Sequence, residues 1–520
     1  MNISLNFFKW DVSDIYHFQR WMLQMTIICI PLGFFPLKFP LVGNNIPLAC
    51  LLAGYIGYLI EKIISPKLCT RREKFASIFL VVLVAWNFLS GIIDINTYQF
   101  YQLLDINQDE KLTALYWNLN QFIVVDSLFL TKLWLSFLSF RGAVLNCLFG
   151  YFIVLWIIHL YEENTQKAFK DITRAVHILC IVLSIYSAFE VGYLLGNYFC
   201  KDFLTHINPL FMKIAYLNDW WPPLLWTNLQ VRSMFAEPSF FGIFLAMSLP
   251  LLMNDFYKKY SIRYVQVVYY ILYVFMVMLL VMSKARTAAM LFLGEILLFG
   301  IWQLFINKKG WWNFSRCISC TILAIALGLL CTFHFQAIDI KVDQSNNTSV
   351  QSYVSQNITS VVGNQRSNSA RKANTISMLK VGFQNPIFGV GTDLAHEYIV
   401  KDLTVEDLNN PEVKKWTSDI NDKGPLNSGY PILNQVAWSF ATQGIIGVIL
   451  FLFPIGFILY KIFLARNKLS DSKLAFSLIA FLGLTMAFFS NAAQIEYFVL
   501  CGLMICLVQD ETSFNKWRYY

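Results

Sequence analysis

Three stretches of this chain gather arginine or lysine, two of them beside residues that open a helix. The first is Arg232-Ser-Met-Phe-Ala-Glu237-Pro238-Ser239, where Pro238 suits a first helical position. The second is Ser283-Lys284-Ala285-Arg286-Thr287. The third, 361–385, holds Arg366, Arg371, Lys372 and Lys380 with no acid, and 386–412 then holds Asp393, Glu397, Asp402, Glu406, Asp407 and Glu412. Helix N-termini present unpaired N–H groups and a partial positive charge, so two of them decorated with cations suit a di-anionic head group. A basic half followed by an acidic half can hold a phosphate on one side and sugar hydroxyls on the other. Plainer roles exist for each: cations that snorkel to lipid phosphate, and an ordinary solvated surface.

The elements that must position these residues are membrane helices. Of the 520 residues 57% are hydrophobic and only 14% charged, too few polar groups to cover a soluble globule. Mean hydropathy is +0.52. The apolar runs are continuous, near the roughly 20 residues a helix needs to cross a bilayer, which excludes a β-barrel. The expected fold is all-α, a polytopic integral membrane protein with about 12 transmembrane helices: 22–41, 44–61, 75–93, one within 119–160, 174–197, 238–253, 264–282, 286–306, 315–336, 431–460, 474–489 and 492–508. Within 119–160 the crossing is placed at 142–160, with 119–139 interfacial or re-entrant. Three parts follow: helices 1–9 over 1–336, a loop domain over 337–430, and helices 10–12 with a tail over 431–520.

Charge sets the orientation. The loops on one side carry 22 Lys and Arg and the short loops on the other carry 6. By the positive-inside rule both termini are expected in the cytoplasm and 337–430 outside, so all three basic stretches face the same side. The net charge of +8 reflects this bias and not nucleic-acid binding. The start MNISLNFFKWDVSD has no small-residue cleavage site, so the first membrane helix is expected to be an uncleaved anchor. The eleven cysteines sit mostly in apolar runs, and Cys317-x-x-Cys320 has no second ligand pair, so neither a disulfide framework nor a metal site is expected. Glu190, Glu295 and Glu496 lie in or near membrane segments, where ionisable groups are costly and suspect. His396 lies in the outer loop; the other five histidines look unremarkable. Asn385-Pro-Ile-Phe-Gly389-Val-Gly391 reads as a tight turn whose glycines permit close backbone approach.

Four motifs in order, RSMFAEPSFFGIFLAMSLP (232–250), SKARTAAMLFLGEILL (283–298), SARKANTISMLKVGFQNPIFGVGTD (369–393) and LNQVAWSFATQGIIGVILFL (433–452), resemble the O-antigen ligase/polymerase superfamily. The specific likeness covers about 230–455. The resemblance implies a bacterial inner-membrane glycosyltransferase that uses an undecaprenyl-pyrophosphate-linked oligosaccharide in the periplasm, without metal or other cofactor. Membrane lipid, a chain-length regulator and a repeat-unit flippase are the partners that accompany such chemistry. The likeness assigns Arg232, Arg286 and Arg371 to the donor pyrophosphate, and Lys284 and Arg366 stand beside them in the same motifs. A leaving pyrophosphate gains charge and needs such cations, and the acceptor hydroxyl needs a base. Glu237, His396 and Glu496 are the candidate bases, Glu237 being closest in sequence to the cations. Ligases of the superfamily carry a His where this chain has Leu433, before Asn434. With Glu-Pro-Ser at 237–239, this favours a polymerase of O-antigen, capsular or exopolysaccharide repeat units. A ligase is the alternative, and a polysaccharide transporter or flippase the more distant one.

Overall fold

The structure is a computed structural model that describes residues 11–65, 69–97, 109–162, 164–214, 222–225, 229–335, 366–424, 426 and 430–508. Among these the regular structure is helical, with one isolated bridge, Phe39 to Gly43. The first half comprises α1 (Val12–Ile28), α2 (Ile46–Ile64), α3 (Arg71–Thr97), α4 (Glu110–Asn120), α5 (Ser127–Leu148), α6 (Tyr151–Tyr161), α7 (Thr165–Leu194) and α8 (Tyr198–Phe211). The second half adds α9 (Pro238–Met253), α10 (Arg263–Ser283), α11 (Arg286–Phe305) and α12 (Trp311–Phe333). Then come α13 (Arg366–Gln384), α14 (Ala395–Lys401), α15 (Val405–Leu408) and α16 (Pro411–Lys423). Last are α17 (Gln435–Leu464), α18 (Ser472–Ala487) and α19 (Ile495–Leu507).

Nine segments among the described residues are long and apolar enough to cross a membrane; α18 and α19 are apolar but shorter. The chain is a multi-pass membrane protein, and its outward surface fits lipid. Val81 on α3, Leu297 on α11 and Ile322 on α12 are all more than half exposed. Such side chains would be inside in a soluble protein.

Among the departures of the helix boundaries from the expected spans, which include an early start of α7 at Thr165, two stand out. The first helix covers 12–28 and not 22–41. Asp11 and Asp14 form a capping box that starts it early. Pro31, Pro36 and Pro40 prevent it from continuing. In 119–160 the apolar run extends from Ser127 to Tyr161 as one candidate span, broken at Phe149–Gly150 inside the expected 142–160 crossing.

Helix α9 is the axis of the second half. It is buried almost all round and packs on α18, α11 and α10. Gly242 makes this possible: a Cβ there would stand 2.4 Å from Ala288 Cβ on α11. Small residues at a membrane-helix crossing let backbones approach. Here they bring the starts of α9 and α11 together.

The expected loop domain, 337–430, is helical where it is described; 337–365 lie outside the described residues. Helix α13 packs along the start of α17, and Ala370, Ala373, Val413 and Trp416 join α13 to α16. The turn 385–391 plugs into α17. At Gly444 (φ 66°, ψ −165°) α17 leaves helical geometry, which frees carbonyls one turn earlier. Val390 N–H donates to Ala441 O (2.9 Å), Gly391 N–H to Thr442 O (2.9 Å), and Ile445 N–H to Pro386 O (2.8 Å). Gly389 and Gly391 have φ of 68° and 64°. A Cβ on Gly389 would fall 2.3 Å from Thr442 C, so the expected close approach is to α17 itself. Trp86 and Ser90 of α3 donate to Gln443 O (3.0 Å) and Thr442 O (2.7 Å), closing the break from the far side.

Candidate active site

The N-terminus of α9 carries Glu237 as its N-cap, and that of α11 carries Arg286 at its first position. Neither helix has a side-chain cap on its first-turn N–H groups. The Gly242–Ala288 contact sets these two ends side by side. From the loop domain, Arg371 on α13 reaches the same place and donates to Ser490 O, between α18 and α19. Its electrostatic neighbours are Glu412, Arg286 and Glu237. Burial pulls the Arg371 guanidinium below its ordinary pKa; Glu412 pulls it back up, Arg286 pushes it further down, and Glu237 raises it. Two guanidinium groups sharing a partly dry space are costly alone and attractive to a bound anion. Glu237 accepts a hydrogen bond from Ser239 Oγ at 2.8 Å and is half-buried.

The other residues singled out from the sequence are engaged differently. Arg232 is 1% exposed, and its guanidinium donates to Pro223 O (3.1 Å), Leu224 O (3.2 Å) and Ala236 O (3.3 Å). Its backbone N–H, with that of Ser233, donates to the two carboxylate oxygens of Glu190 at 3.0 and 2.8 Å. The ensemble pins the strap that leads into Glu237. Val231 N–H donates to Met282 O (3.1 Å), tying the same strap to the end of α10. Lys284, left-handed at φ 49°, caps α10 and lies 5.8 Å over the Phe335 ring; burial lowers its pKa. Glu496 is 2% exposed in the first turn of α19. His396 lies between Tyr430 and Trp438 in the loop-domain core. Arg366 starts α13, and its side chain lies outside the described residues.

Away from this end, charges pair off structurally. His177 binds Asp255, and His159 bridges Glu61 and Glu73. Glu295 is buried with neither carboxyl oxygen hydrogen-bonded among the described residues. No group of three or more metal-ligating side chains occurs among the described residues.

The geometry missing from the sequence reading is the role of Ser490 and Glu412. Glu412 stood among the loop acids without a partner, and nothing in the local sequence marks Ser490 as an acceptor. Glu190 was marked only as an ionisable residue in a membrane helix; its service to the strap required α7 and the strap to be seen together.

The chain is thus a polytopic helical bundle in which Arg286, Arg371 and Glu237 are electrostatic neighbours at one end. Residues 271–452 match the family model described as O-antigen ligase. Over this segment the chain is similar to the O-antigen ligase/polymerase superfamily, whose members are glycosyltransferase-like membrane enzymes. The match runs from α10 into α17 and includes Arg286, Arg371, His396, Gly389 and Gly391; Arg232, Glu237 and Glu496 lie outside it. No curated protein matches the chain.

Proposed function

We propose that this protein polymerises undecaprenyl-pyrophosphate-linked oligosaccharide repeat units at the periplasmic face of the inner membrane. The observation that carries the reading is the convergence of Arg371, Arg286 and Glu237 from three separate elements. In this reading the two arginines and the open helix N-termini hold the donor pyrophosphate and stabilise the charge it gains on leaving. Glu237 takes the proton from the acceptor hydroxyl as that oxygen attacks the anomeric carbon. Arg232 acts by holding the strap that presents Glu237. His396 and Glu496 are the remaining candidate bases, and Lys284 adds positive charge from the α10–α11 turn.

The family description favours a second reading, transfer of a finished glycan to lipid A core or protein, while Leu433 in place of the ligase His speaks for polymerisation. Deletion of the gene followed by gel analysis of surface polysaccharide separates the two. A polymerase deletion leaves a single capped repeat band; long carrier-bound polymer would turn the assignment to ligase. Both termini are proposed to be cytoplasmic, and a chain-length regulator and a flippase are proposed as partners.

A further inference from the structure

Several buried polar atoms of the loop domain lack hydrogen-bond partners among the described residues, and they cluster. Both ring nitrogens of His396 are unpaired, and beside them Asn374 Oδ1 and Tyr430 Oη face each other with no further partner. Asn374 is 1% exposed and Tyr430 5%. The Asn374 amide is held by donation to Pro431 O (3.3 Å), which leaves its oxygen beside the Tyr430 hydroxyl. Four ring systems enclose the place. Tyr430 lies 5.2 Å from His396 and 5.9 Å from Trp416, and His396 lies 5.4 Å from Trp438, centroid to centroid. His396 and Trp416 are half-buried, the least enclosed of the group.

This place adjoins the cationic site along two helices. On α13, Asn374 follows Arg371 by three residues; on α16, Trp416 follows Glu412 by four. Such spacings put each pair on one helix face, about 5–6 Å apart at Cβ. Arg371 and Glu412 are themselves electrostatic neighbours. One turn along both helices, charge gives way to an amide and aromatic faces.

We infer that Asn374, His396, Trp416 and Tyr430 form a subsite for an uncharged sugar of the glycan acceptor, one helical turn from the cationic site. Paired donors and acceptors on planar groups, set against ring faces, match hydroxyls and the C–H face of a pyranose. A phosphate does not fit: the groups are neutral, since burial drives the His396 pKa down to about 4. The subsite deepens the proposed function and rests on it for the identity of the glycan.

The test uses the full chain in detergent, with the repeat-unit oligosaccharide freed of lipid and pyrophosphate as probe. Saturation-transfer NMR should show transfer to sugar ring protons. Tyr430→Phe, which removes one hydroxyl, and Trp416→Ala should each bind about 5- to 10-fold more weakly, as expected for one lost contact of about 1 kcal/mol. The thermal melt of Tyr430→Phe should match wild type, which separates lost binding from lost folding; Trp416→Ala, which also removes packing between α13 and α16, is read at a temperature where it remains folded. Arg371→Ala should keep its oligosaccharide affinity while losing polymer. No transfer in wild type, or wild-type affinity in both Tyr430→Phe and Trp416→Ala, overturns the subsite. Normal polymer in Arg286→Ala and Arg371→Ala would instead sink the cationic donor site, and long carrier-bound polymer in the deletion strain the polymerase reading; both would leave the binding result untouched.

Discussion

At the scale of single residues, Arg371 and Arg286 are the two cations that share one electrostatic neighbourhood with a carboxylate, Glu237. Loss of one preorganised group that stabilises developing charge costs on the order of a hundredfold in rate. Arg286→Ala and Arg371→Ala are expected to reduce polymer to single repeats while the protein stays inserted, as read on polysaccharide gels with an immunoblot for the protein. Arg371→Lys should be nearly as harmful. Lysine cannot both reach Ser490 O and present a planar fork to a phosphate. Wild-type ladders in these strains would mark both residues as lipid anchors. Glu237→Gln keeps shape and the contact with Ser239 but cannot take a proton, so a single-repeat band is expected there too. Full activity in that variant would move the search for the base to His396 or Glu496.

At the scale of elements, the docking of 385–391 into the broken turn of α17 holds α13, and with it Arg371, over the helix N-termini. A Cβ at Gly444 would stand 2.1 Å from Ile387 O, at a φ of 66°. Gly444→Val should therefore cost at least about 1–3 kcal/mol from backbone strain alone. A lower melting temperature and faster proteolysis within 366–430 are the expected readouts. Asp393 follows the same turn, and burial pushes its pKa up to about 6, with the Ser139 hydroxyl opposing. The folded state thus prefers the protonated acid. Its contribution to stability is fully present below about pH 4 and is lost as pH rises through 6. Asp393→Asn should raise the melting temperature at pH 7–8 and leave it unchanged near pH 4. An equal shift at both pH values would show that charge is not the cause.

At the scale of the whole molecule, orientation decides whether the site meets periplasmic glycan. Ser418 on α16 is exposed, and Cys69, between α2 and α3, is an exposed native thiol expected on the opposite side. A cysteine at position 418 should react with a membrane-impermeant thiol reagent in outer-membrane-permeabilised cells, while Cys69 should react only after inner-membrane lysis. The reverse pattern would place the cationic end in the cytoplasm and remove the periplasmic reading.

The membrane class, the helical fold and the cationic stretches were legible in the sequence alone. Hydrophobic run length and charge bias are local properties, and the bilayer acts on them segment by segment. The helix starts at Pro238 and Arg286 were equally plain, because proline and basic residues punctuate apolar runs. Tertiary structure decided which cations meet. Arg232 and Arg286 look equivalent in sequence, yet Arg232 turns inward to satisfy the carbonyls of Pro223 and Leu224, while Arg286 shares its surroundings with Arg371. That choice depends on a close crossing at Gly242 and on a helix broken at Gly444, both made by partners 46 or more residues away. His396 likewise reads as a base by residue type, but burial among Tyr430, Trp438 and Ile399 makes it a neutral ring in an aromatic cluster. Desolvation and long-range hydrogen bonding are properties of packing, and no local window of sequence contains them.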